Sequence, residues 1–375
     1  TALPAALITA GTAMGRQWAG PTESATHLYA LLTAPSGVGK DHPLKCVATL
    51  LNSAHLDELV ATGRFRSSTS IVNTLTRKAL CVSLIDEFGD FLRFIGDYKS
   101  GPHAHEIGAM LRELWSNSFD SYRTPEWANR ESETIESPSL SVFGVTTPDD
   151  FYQSLTERVV GNGLLNRFFA IHLEQKPVEV EPKLKRKDPP AHLADGLSRL
   201  RMPEGFAQGI VTIPGMRSNA IKPRVIPWGA GAEAVYKEMR ERVSIMSEEI
   251  GTYRVFFGRT CEMALRAATI VAGGVNPAKP VLSADLMAWG RDVMLWSHRD
   301  MMERTKLHIA ETPTAAAVKR VYRAIHANGR KAMTKSELTY TLDHALPLRV
   351  REEAIKDLIE SGKVRPAIDR SYPFT

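Results

Sequence analysis

Cysteine is scarce in this 375-residue chain: Cys46, Cys81 and Cys261 are the three, and no two form a C-x-x-C pair. That excludes a disulfide framework and a thiolate zinc site, and it fits a reducing, cytoplasmic setting. No stretch approaches the ~20 consecutive apolar residues of a membrane helix, so no membrane partner is expected. The apolar segment 5–13 is short and lacks a basic leader, unlike a signal peptide. Internal repeats and low-complexity tracts are also missing. Neither sign of charge dominates: 47 Lys and Arg stand against 42 Asp and Glu, a net +5. This mild excess permits nucleic-acid binding without requiring it. What is present is ordinary for a globular protein, 43% hydrophobic and 24% charged, with length enough for two or three domains. The chain opens at Thr1 inside a helical pattern, which suggests a piece of a longer protein.

The stretch around which the rest is arranged is Leu28-Tyr29-Ala30-Leu31-Leu32-Thr33, followed by Ala34-Pro35-Ser36-Gly37-Val38-Gly39-Lys40-Asp41 and then His42. An apolar run, a small-residue loop, a lysine and a helix start are the layout of a phosphate-binding loop. Glycines let backbone N–H groups close round phosphates, and the next helix points its positive end there. Residues 35–42 are the candidate ATP-binding set, with Lys40 supplying charge to the β- and γ-phosphates. The usual pattern G-x-x-x-x-G-K-[ST] is altered twice: Ala34 fills the first glycine position and Asp41 replaces the hydroxyl residue that normally ligates Mg²⁺. Asp41 is itself a candidate metal ligand.

Further along, residues 79–85 form an apolar run closed by Asp86 and Glu87. Such a run fits a strand buried in a parallel sheet, where ligands sit off the carboxyl ends. Asp86 is then placed to hold Mg²⁺ through water, and Glu87 to orient or deprotonate an attacking water. The plainer alternative is an acidic helix start. Residues 140–146 read as another buried strand, ending at Thr147-Pro148-Asp149-Asp150. Thr147 can reach the γ-phosphate or the water, or it can simply cap a Pro-started helix. Arg167 lies alone among apolar residues after Gly161 and Gly163. It is either a surface ion-pair partner or a residue offered to a neighbour's γ-phosphate. Arg259 stands at the start of a tightly packed helix, with a solvated or a nucleotide-reading role. Other helices are expected over 1–15, 42–51, 70–78, 106–119, 232–248 and 283–307, with a hairpin over 121–136. Residues 176–190 read as a Pro- and Lys-rich linker whose basic cluster 183–187 is a solvated run or a phosphate contact. The last 60 residues read as three helices (315–327, 335–344, 348–360) and a wing over 364–373, a winged-helix layout carrying Arg349, Arg351 and Lys356.

In this order the features resemble AAA+ helicases, particularly the minichromosome-maintenance type, and the helicase part of phage and plasmid primase–helicase proteins. The resemblance covers about residues 25–305. It equates residues 34–41 with Walker A, residues 84–87 with Walker B, and Val145-Thr146-Thr147-Pro148 with the sensor-1 strand end. Leu164-Leu165-Asn166-Arg167-Phe168 resembles the arginine-finger segment, and residues 258–266 the sensor-2 helix, with Arg259 the sensor that reports nucleotide state from the lid. Residues 122–134 fall where a hairpin carries DNA-contacting residues, here Arg123 and Arg130.

The resemblance implies an α/β P-loop NTPase with a three-layer αβα core (1–175), a linker or insert (176–230), a helical lid (231–310) and a C-terminal winged-helix domain (311–375). It implies a DNA helicase of phage or plasmid-type replication that uses ATP and Mg²⁺ and works as a ring, a hexamer by that resemblance, on single-stranded or forked DNA. An upstream primase domain would suit that setting. The rivals are an ATP-binding replication initiator or DNA-binding scaffold with little hydrolysis, which Asp41 favours, and another P-loop motor such as a packaging ATPase.

Overall fold

The computed structural model describes residues 2–61, 63–96, 101–117, 119–126, 131–155, 157–174, 188–201, 222–308, 313–329, 332–342 and 346–366. Two compact units divide it, Thr1–Met302 and Glu303–Thr375.

The first unit runs α1 (Ala2–Met14), β1 (Trp18–Ala19), β2 (Tyr29–Thr33), α2 (His42–Ser53), α3 (Ser68–Arg77), β3 (Leu80–Ile85), α4 (Phe88–Gly96) and α5 (Pro102–Ser116). There follow β4 (Ser121–Arg123), β5 (Thr134–Glu136), β6 (Ser139–Thr146), α6 (Pro148–Ser154), α7 (Glu157–Gly161) and β7 (Phe168–His172). Its later part holds α8 (Ala191–Arg201), β8 (Arg224–Val225), α9 (Ala232–Glu249), α10 (Thr260–Val275) and α11 (Ala284–His308) up to Met302.

The centre is a four-stranded sheet in the order β3-β6-β2-β7, every neighbour parallel. These strands are the apolar runs of the sequence, and both faces are covered. All five residues of β2 and all eight of β6 are buried, as expected where helices clothe a parallel sheet. Alternation separates the faces. Tyr29 donates its hydroxyl to Leu111 O of α5, and a Cβ on Gly144 would lie 2.3 Å from the Phe88 ring of α4. On the opposite face Leu80 reaches Gly15, just beyond α1. The chain is thus an α/β protein with helices on both sides of a parallel sheet. Register places Thr33 beside Thr146 and His172, so the carboxyl ends of three strands finish level.

Most expected elements form, with shifted ends. The helix expected over 70–78 begins at Ser68, because Ser67 and Ser70 make a reciprocal capping box. The one expected over 106–119 begins at Pro102, a proline at its first turn. The hairpin expected over 121–136 is the antiparallel pair β4–β5, with Arg123 exposed. Arg130 lies outside the described residues, as do the basic cluster 183–187 and residues 367–373 of the expected wing.

The stretch 176–230, read as a linker, contributes structure to the first unit. Helix α8 buries Ala194, Leu197 and Leu200 and packs against α1, α2 and α10. The Trp18 indole donates to Leu200 O at 2.8 Å, and β8 pairs in parallel with β1.

The second unit contains α12 (Pro313–Ala327), α13 (Lys335–Thr341) and α14 (Leu348–Glu360), gathered round Val321, Leu338, Ala354 and Leu358. Thr334 and Glu337 form the capping box expected for α13. On α14, Arg349 pairs with Glu353 and Lys356 with Glu360, while Arg351 is buried.

Candidate functional site

The loop 34–41 leaves the carboxyl end of β2, tied to the next strand by Ala34 N–H donating to Thr146 O at 3.1 Å. Gly37 and Gly39 have φ of +77° and +73°, a left-handed conformation that side chains resist, and nothing lies within 4 Å of where a Cβ would stand. The loop therefore offers open backbone at its crest. Lys40 follows, and Asp41 occupies the N-cap of α2 with Pro43 in its first turn. The Asp41 carboxylate does not cap the helix; it turns to Lys45, one turn on, whose hydrogen bond holds its pKa below the usual carboxylate value.

β6 lies between β2 and β3, yet Lys40 reaches across it. Its Nζ stands 2.7 Å from Glu87 Oε1 and 3.6 Å from Asp86 Oδ1. Partial burial works to lower the Lys40 pKa, but the Glu87 hydrogen bond and the two carboxylate charges outweigh it and the net shift is upward. The ammonium is thus fixed as a cation at the mouth of the loop. Glu87 has φ of +52°, a left-handed backbone in a non-glycine residue, the kind of strain that gathers at functional positions. Asp86 and Glu87 are about half exposed.

Loop, lysine and acidic pair are therefore brought together as the sequence led one to expect. Thr147 is at the same sheet end but engaged otherwise: its hydroxyl donates to Asp150 Oδ2 at 2.7 Å and accepts from Asp150 N–H at 3.2 Å. It is the N-cap of α6, the plainer of its two readings.

Arg167 and Arg259 are at the other end of the sheet. Arg167 immediately precedes β7, whose first residue, Phe168, pairs with Tyr29 at the start of β2. A five-residue strand at ~3.3 Å per residue puts about 17 Å between that end and the loop. Arg167 is 8% exposed, donates to Gly163 O at 2.6 Å, and burial together with the nearby Arg259 charge pushes its pKa down to about 10. Arg259 pairs with Glu262, which also holds the buried Arg266 at 2.6 Å. Arg266 in turn donates to His27 O and Trp115 O and stacks on the Trp115 ring. Arg259, read as reporting nucleotide state from the lid, therefore lies at the sheet end away from the loop of its own chain.

Two groups at the loop end were missed. His172, at the tip of β7, meets Thr33 Oγ1 at 2.6 Å, Tyr152 OH at 3.4 Å and Asp300 Oδ2 at 3.6 Å. Arg93 joins Asp90 to Asp150. No sequence signal marks the first group, whose members come from four separated elements; the Asp90–Arg93 spacing of three is a weak mark of the second.

Among the described residues no three His, Cys, Asp or Glu side chains converge as a metal cage. Magnesium on a nucleotide takes one or two carboxylates and the phosphates, and Asp86 and Asp41 are donors of that type beside the open loop. Also among the described residues, no helix is long and apolar enough to cross a membrane. Compared with known proteins, the chain matches no family model and no curated protein.

Proposed function

We propose that the chain is a P-loop ATPase of the AAA+ kind, with a helical lid and a winged-helix unit, acting as a DNA helicase or translocase in replication. The observation that carries this reading is the reach of Lys40 over one intervening strand to Asp86 and Glu87. A phosphate seated on the backbone of residues 35–40 would compete for the ammonium that Glu87 now holds. Lys40 would then neutralise phosphate oxygens, and Glu87, released, would accept a proton from an attacking water. Asp86, with Asp41 beside it, would hold Mg²⁺, which supplies positive charge to the phosphates. Thr147 positions water in this scheme only if it exchanges its bond to Asp150.

Arg167 and Arg259 support a ring, because only a neighbouring copy's nucleotide could meet them. Each subunit would present a loop at one end of its sheet and two arginines at the other. The hairpin bearing Arg123 would contact the strand without reading its sequence. A second reading, a nucleotide-binding initiator with little turnover, is favoured by the Asp41 carboxylate at the helix start.

Mixing tests the shared site. A Glu87→Gln chain keeps its arginines, and an Arg167→Ala chain keeps its loop. Each alone should lose hydrolysis, while the mixture recovers part of it. Failure of the mixture, with both variants folded and nucleotide-bound, would remove the neighbour's role.

A further inference from the structure

A depression of about 420 Å³ opens between α9 and the beginning of α10. Arg240, Ser244, Ser247 and Glu248 line one wall; Ser244 is four residues from Arg240 and three and four from Ser247 and Glu248, which gathers them on one side of the helix. Arg254 and Phe257 line the facing wall. Phe257 is buried and packs edge-on against His298, so that part of the wall is fixed and apolar. Among the described residues, neither Arg240 nor Arg254 takes part in an ion pair or a hydrogen bond, unlike Arg93, Arg259 and Arg266 of the same unit. Glu248 is the one carboxylate of the lining, and it pairs with neither.

We propose that this depression is a second phosphate-binding site, distinct from the loop at residues 34–41. Two guanidinium forks face it against one carboxylate, and a guanidinium matches the oxygens of a phosphate with parallel N–H bonds. The hydroxyls of Ser244 and Ser247 add donors. The site adjoins Arg259 through Gly258, so it belongs to the sheet end remote from the loop. Its ligand is a phosphate group of a nucleic-acid backbone or of a free nucleotide.

The test uses the full chain carrying Lys40→Ala, which disables the loop. Binding of a labelled oligothymidylate of about 20 nucleotides and of a fluorescent ATP is measured by anisotropy, before and after adding Arg240→Gln and Arg254→Gln. Affinity for at least one ligand should fall tenfold or more, and inorganic phosphate should compete for that ligand. If the oligonucleotide responds, its log–log salt slope should fall by about 1.4, at ~0.7 per single-strand contact. A response of the oligonucleotide alone assigns the site to backbone phosphate, and of ATP alone to free nucleotide. Less than a tenfold change for both overturns the proposal, as does absence of binding by the Lys40→Ala chain. Arg242→Gln, an exposed arginine of α9 outside this lining, is the control; an equal loss there would make the effect one of general charge and also overturn it. Comparing Lys40→Ala with the unaltered chain tests the loop separately.

Discussion

Lys40 is where charge, backbone geometry and sequence position meet. With its ammonium held by Glu87 and Asp86, Lys40→Ala removes the cation that a triphosphate would use. ATP affinity should fall at least about 30-fold, roughly one good charge-assisted hydrogen bond, as read by fluorescent-nucleotide titration. Retained affinity would move the nucleotide elsewhere. Asp41 places a carboxylate at the positive end of α2, where phosphate oxygens would repel it. Asp41→Ser restores the usual hydroxyl but takes away a carboxylate that the proposed site offers to Mg²⁺, and should weaken Mg·ATP several-fold; tighter binding would mean that repulsion of the phosphates is the carboxylate's main effect. His298 is a residue of a different sort. It is fully buried against Thr260, and burial pushes its pKa down to about 4. The unfolded chain takes up this proton near pH 6.5 and the folded chain only near pH 4. Stability is therefore lost as pH falls through that window, by roughly 1.4 kcal/mol per unit from this group. His27, lowered by burial and by Arg266, acts in the same direction. His298→Gln should flatten the fall in melting temperature between pH 7 and pH 5.

At the scale of elements, packing of helices on the parallel sheet sets where the site stands. Gly144 of β6 is a close approach between layers, since a Cβ would fall 2.3, 2.5 and 2.9 Å from three Phe88 atoms. Gly144→Ala should cost about 1–3 kcal/mol of stability by overpacking, measurable as a lowered unfolding midpoint. Because Phe88 follows Glu87 directly, turnover should fall too. Strands β2, β3 and β6 were legible from their mostly apolar runs, and the loop and acidic pair from residue type at strand ends; β7, short and next to Arg167, was not. The ends of α3 and α5 were not, because a capping box and a starting proline extend them beyond the apolar period. Helix α8 escaped notice because its three buried residues sit beside a Pro- and Lys-rich tract. Thr147-Pro148-Asp149-Asp150 fits a cap and a sensor equally well, and only the hydroxyl's partners separate the two. The burial of Arg167 was hidden for a further reason: its surroundings are built by Tyr29, Arg112 and Arg259, distant in sequence.

For the whole molecule, the proposed function divides the labour between the two ends of the sheet. Lys40, Asp86, Glu87 and Thr147 gather at the carboxyl ends of β2, β3 and β6, while Arg167 and Arg259 stand at the other end. One chain cannot join them, so the account requires association. With ATP and single-stranded DNA present the chain should run on sizing as a ring-sized oligomer; a strict monomer would leave both arginines without a nucleotide to serve. The most direct measurement of the central claim is Mg²⁺-dependent phosphate release from ATP, with and without single-stranded DNA, by the unaltered chain and by Glu87→Gln. DNA-stimulated release should fall about 100-fold or more in Glu87→Gln, within the range for loss of a general base, while ATP binding persists. Release that ignores DNA and is the same in both chains would contradict that claim.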